Sequence, residues 1–154
     1  MVKVKKVSKK EENSACSKLK NYAALKSFYD LPEECSTLNA VLHKMSEYLD
    51  LYLKIIQQVL QPEEFYSLHE GNAFTDVEKA KLMELYTRIM IVYREVLKAE
   101  IINEQASYIS TIQLVHEEVL ALKPSLLDIV SKLQESWKNT PKPDNNRESA
   151  RYFG

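Results

Sequence analysis

The longest unbroken pattern in the chain runs from Thr75 to Leu122, 48 residues without a Gly or a Pro. Within it Leu82, Leu85, Ile89, Val92, Val96 and Ala99 recur in alternating steps of three and four, the spacing that lines one face of an α-helix. At Asn103 and Glu104 the stripe fails. A second apolar set, Ile102, Ala106, Ile109, Ile112, Val115, Val119 and Leu122, continues on a displaced face. A straight helix of this length would reach roughly 70 Å at about 1.5 Å per residue, beyond the roughly 40 Å diameter of a compact domain of this size. The pattern therefore predicts either a bend near Glu100 to Asn103 or a projecting helix that meets a partner. Its start is marked by Thr75-Asp76-Val77-Glu78, a capping box in which hydroxyl and carboxylate each satisfy the other residue's backbone N–H.

The other elements are sized to pack along this one. Leu38, Leu42, Met45, Leu49, Tyr52, Ile56 and Val59 form a 3-4 stripe, widened by Val41, Tyr48, Ile55 and Leu60. This predicts a helix from Pro32 or Glu33 to Gln61, antiparallel to the first half of the long stretch, with Pro62 as its stop. A shorter helix is predicted over Ser14 to Tyr29, closed by Asp30-Leu31-Pro32. Glu63 to Glu70 reads as a helical turn, with Gly71-Asn72 as a break and Gly71 in the position after a helix end that favours positive φ. Pro124 is expected to separate the long stretch from a last helix carrying Leu126, Leu127, Val130, Leu133 and Trp137, ending near Lys138. The expected fold is all-α: a four-helix, bundle-like domain with one very long or bent helix at about 75–122. Its bounds are a basic, mobile segment at 1–12, a single helical domain at 13–138 and a polar, flexible tail at 139–154.

Composition supports this picture. Two glycines in 154 residues leave few tight turns for a sheet protein. An apolar share of 45% is that of a folding chain. No apolar run approaches the roughly 18 residues of a membrane span, and the lysine-rich start lacks the apolar stretch of a secretory signal. A soluble, cytoplasmic protein with no membrane partner is the expectation. Cys16 and Cys35 suit neither a zinc motif nor a disulfide framework and are read as ordinary reduced residues.

Charge adds an asymmetry. Residues 1–10 hold Lys3, Lys5, Lys6, Lys9 and Lys10 and no acid, whereas residues 11–137 hold twelve basic and twenty acidic side chains, a net −8. The five lysines are candidate phosphate contacts, so a nucleic-acid-associated accessory protein is one functional reading. The acidic body, with Arg88 and Arg94 as its only arginines, lacks the basic face of a folded nucleic-acid domain.

Chemistry leaves little trace. The Glu-x-x-His pairs of carboxylate-bridged di-iron bundles are absent, since Ala40, Tyr66 and Gln113 stand three residues before His43, His69 and His116. Glu47 and Asp50 have the Glu-x-x-Asp spacing of Mg²⁺-dependent all-α hydrolases, a weaker alternative because three-residue acidic spacing recurs by chance among 22 acids. His43 is read as an exposed neighbour of Glu47 and His116 as a surface residue beside Glu117 and Glu118. Tyr48, Tyr52, Tyr86 and Tyr93 are expected at the rim of the core. No catalytic, cofactor-binding or metal-binding residue is assigned, and no cofactor is expected.

Apolar surface is the more informative feature. Ile101, Ile102, Ile109 and Ile112, with Val115 and Val119, exceed what two short flanking helices can cover, and are assigned to a protein interface. The expected function is a non-enzymatic assembly subunit or adaptor, self-associating as a homodimer. Tyr152 and Phe153 near the C-terminus are a candidate tail anchor for a partner groove.

Overall fold

The computed structural model describes residues 18–19, 22–32 and 37–139. The described residues form five helices and no strands: α1 (Tyr22–Tyr29), α2 (Leu38–Leu60), α3 (Phe65–Gly71), α4 (Asp76–Ile102) and α5 (Gln105–Lys138). The fold is an all-α bundle. Three long helices, α2, α4 and α5, pack against one another and carry the core, while α1 and α3 are short.

Local chemistry sets most boundaries. Asp30 adopts a left-handed conformation at φ 51°, and Leu31 N–H donates to the carbonyl of Lys26 at 3.1 Å. This closes α1 in the manner of a Schellman motif, with Leu31 buried behind it. The predicted cap at Ser14 lies outside the described residues. α2 begins at Leu38 rather than at Pro32 or Glu33. Thr37 is extended and its hydroxyl accepts from Ala40 N–H at 3.0 Å, making it the N-cap. The predicted stripe of α2 is buried as spaced, with Tyr52 half-exposed. Gly71 ends α3 without positive φ, unlike the expectation. Its place is close-packed instead: a Cβ there would stand 3.3 Å from the carbonyl oxygen of Val59, a tight contact that would need the ends of α2 and α3 to give by a few tenths of an ångström.

The capping box at Thr75 forms as predicted, and α4 follows it for 27 residues. The helix ends within the predicted polar step. Asn103 takes φ 54° and ψ 41°, with its N–H bonded to the carbonyl of Ala99. Asn tolerates this left-handed geometry at low cost, and its Oδ1 accepts from Tyr108 Oη–H at 3.1 Å. The chain then reverses. Arg88 meets Glu118 at 2.7 Å and Lys132 meets Glu78, so α4 and α5 run antiparallel as a hairpin about Asn103.

Pro124, expected to separate two helices, instead lies inside α5, which continues for 34 residues to Lys138. Pro removes one intrahelical hydrogen bond and costs about 3 kcal/mol in a helix interior. The apolar positions explain why the helix survives. Tyr108, Ile112, Val115, Val119, Leu122, Leu126 and Ile129 are buried in an unbroken 3-4 sequence that crosses Pro124.

Candidate interaction surface

The interface assigned from sequence divides in two. Ile112, Val115 and Val119 are fully buried in this chain's own core, and Ile109 is half-buried against it. Their place inside the bundle corrects the expectation that they meet a partner: once α5 folds back at Asn103, α2 and α4 cover that stripe. Ile101 and Ile102, at the turn between α4 and α5, remain 84% and 45% exposed. Lys3, Lys5, Lys6, Lys9 and Lys10, and likewise Tyr152, Phe153, Cys16 and Cys35, lie outside the described residues.

The candidate Mg²⁺ carboxylates are engaged elsewhere. Glu47 pairs with Lys44 at 2.6 Å and Asp50 with Lys54 at 2.7 Å, each one turn away on the same helix. The hydrogen bond from Lys44 holds the Glu47 carboxyl below its usual range. Among the described residues no three His, Cys, Asp or Glu side chains gather as a metal site.

His116, expected at the surface, is half-buried at the junction of α1 and α5. Its Nδ1 lies 3.3 Å from the Tyr29 hydroxyl, and its ring meets the Phe28 and Tyr29 rings with centroids 5.8 Å apart in both cases. Tyr29 has no solvent exposure, and burial, with Tyr52 and Tyr48 alongside, pushes its phenol well above the usual range. Lys123 Nζ stands 5.5 Å over the Phe28 ring. The Tyr29–His116 contact and the stacking of Lys123 over Phe28 seat α1 against α5.

A similar clasp fixes the far end. Trp137 Nε1–H donates to Glu70 at 2.7 Å, His69 lies against the same indole with centroids 4.6 Å apart, and His69 Nε2–H donates to the carbonyl of Ser136 at 3.2 Å. α3 thereby ties the ends of α2 and α5 together. Beside it, a cleft of about 340 Å³ opens between the start of α4 and α5, lined by Phe74, Glu78, Leu82, Leu85, Asp128 and Lys132. Lys132 and Glu78 neutralise each other within it: Lys132 donates to Glu78 and lies 5.0 Å over the Phe74 ring. That hydrogen bond, with two more from Thr75, lowers the Glu78 carboxyl to about 2.

Among the described residues the outer face of α4 has no such partner. Val77, Ala80, Glu84, Thr87, Ile91, Arg94, Lys98 and Ile101 step 3, 4, 3, 4, 3, 4, 3 and are all exposed, opposite the buried stripe of the same helix. Val77 and Ile91 are 69% and 62% exposed, and Met83 beside them is also exposed. Sequence reasoning misses this second heptad because Glu84, Arg94 and Lys98 interrupt it, although its spacing is as regular as that of the buried one. α5 also exposes Leu120, Leu127 and Val130, a shorter strip. No described helix is long and apolar enough to cross a membrane. Comparison with family models, curated proteins and solved structures finds no match to this chain.

Proposed function

We propose that this chain is a non-enzymatic helical assembly module that works by associating with itself through an exposed helix face. The observation that carries this reading is the second stripe of α4. Isolated exposed apolar residues are ordinary on a soluble protein. A run in which Val77, Ala80, Ile91 and Ile101 fall at coiled-coil positions along a full helix is the pattern of a helix that packs on two sides. The polar groups of the aromatic cluster, the Trp137 clasp and the Glu78–Lys132 pair are engaged with one another, so among the described residues packing surface is the more prominent feature.

Sedimentation equilibrium or light scattering of the full chain tests this. The expected result is a mass approaching twice the 17.9 kDa monomer at concentrations above about 100 µM, the weak end for a specific interface. A monomer persisting to about 300 µM, some threefold beyond that affinity, rejects the proposal.

A further inference from the structure

Resting on that reading, we infer that the second copy docks antiparallel on the outer face of α4, about a two-fold axis midway between Thr87 and Ile91, with Glu84 of each copy opposite Arg94 of the other. Charge along the stripe selects the orientation. In a parallel pair each residue meets its own copy, so Glu84, Arg94 and Lys98 would form three like-charge contacts, each unfavourable. Reversing one helix removes all three. Glu84 and Arg94 lie five residues to either side of the level of Ile89, so a two-fold there brings each against the other twice.

The rest of the stripe agrees with that axis. Val77 and Ile101 lie twelve residues to either side of it and meet as an apolar pair at both ends of the contact. Thr87 faces Ile91 at the centre, with no charge buried there. Lys98 falls opposite Ala80, whose small side chain leaves room for the lysine stem to lie along the partner helix while the ammonium reaches water. Each heptad position thus faces its complement, the arrangement in which antiparallel helices interlock knobs into holes. A two-fold contact is self-complementary by construction, and this face meets that condition in both size and sign.

Glu84 and Arg94 are available for the contact. Both are exposed, and among the described residues neither belongs to an ion pair. Sliding the axis to Ile91 would set Glu84 against Lys98 instead. That register places Ile101 opposite Lys81, and Val77 opposite Gln105, beyond the end of α4. It is disfavoured because both apolar end pairs are lost.

Charge reversal tests the register. E84K and R94E, each alone, replace two attractive contacts with two repulsive ones and are expected to raise the dimer Kd by about tenfold or more at low ionic strength. The double variant E84K/R94E restores opposite signs and is expected to return the Kd to within about threefold of the parent. K98E, opposite Ala80, is expected to move the Kd by less than either of the other single reversals. All three positions are exposed, so circular dichroism and thermal melting should show intact monomers in every variant. A parent dimer indifferent to E84K and R94E, a double variant that fails to recover, or recovery by E84K/K98E in its place overturns this register while leaving self-association standing. A parent that is monomeric overturns both.

Discussion

Single residues decide the joints of this molecule. Asn103 is the clearest: one left-handed residue, held by its own N–H to Ala99 and by the Tyr108 hydroxyl, converts a 48-residue run without Gly or Pro into a hairpin. Gly71 works by absence, giving α3 room at the Val59 carbonyl. Glu78 joins three features, since it closes the cap of α4, receives Lys132 from α5 and lines the cleft between them. Its carboxyl moves from an ordinary value of 4.5 to about 2 on folding, chiefly through the Lys132 hydrogen bond. A depressed folded pKa stabilises the protein above the unfolded pKa, and that contribution is lost as pH falls through the folded one. The contribution of Glu78 is thus expected to be complete above about pH 5 and to disappear between about pH 4.5 and pH 2. Urea denaturation across that range should show a shallower acid loss in Glu78→Gln than in the parent, and identical slopes would disprove the linkage. Thr75 and Glu78 are legible as a cap from their spacing alone. Lys132 is not, because 54 residues separate it from Glu78.

At the scale of elements, α5 shows how packing overrides a local signal. Pro124 argues for a boundary on backbone grounds, yet the buried stripe crosses it without a phase change. Leu122, Leu126 and Ile129 are each buried, and burying such side chains contributes about 1.5–3 kcal/mol apiece, enough together to exceed the cost of one Pro. That cost is still present in the folded state. Pro124→Ala is expected to raise stability by about 1–3 kcal/mol, since Ala restores the missing hydrogen bond and helix propensity at a site that is exposed. A chemical denaturation midpoint unchanged or lowered would show that the helix is distorted to suit the ring. α4 behaves in the opposite way. Its buried stripe is plain in the sequence, but the interrupted stripe on its other face stands out only when the structure shows every one of its positions exposed.

At the scale of the whole molecule, the described residues form a bundle of three long helices, with α1 seated by the Tyr29–His116 contact and α3 by the Trp137 clasp. Ile112 marks the difference between this arrangement and the one the sequence suggests. As a core residue with no exposure, Ile112→Ala is expected to cost about 2–5 kcal/mol of folding stability. As an interface residue it would instead change the association constant and leave monomer melting alone, so paired denaturation and sedimentation measurements separate the two. Helix content, the phases of the apolar stripes, the Thr75 cap and the break at Asn103 were all determined by the sequence itself. They depend on side chains three or four positions apart and on hydrogen bonds within one turn. Tertiary structure alone decided that the chain folds back at Asn103 rather than onward, that α5 runs through Pro124, and that Ile112, Val115 and Val119 face inward while Ile91 faces out. Those outcomes turn on which distant stripe removes which surface from water, an energy shared between residues far apart in the chain and therefore absent from any local window of it.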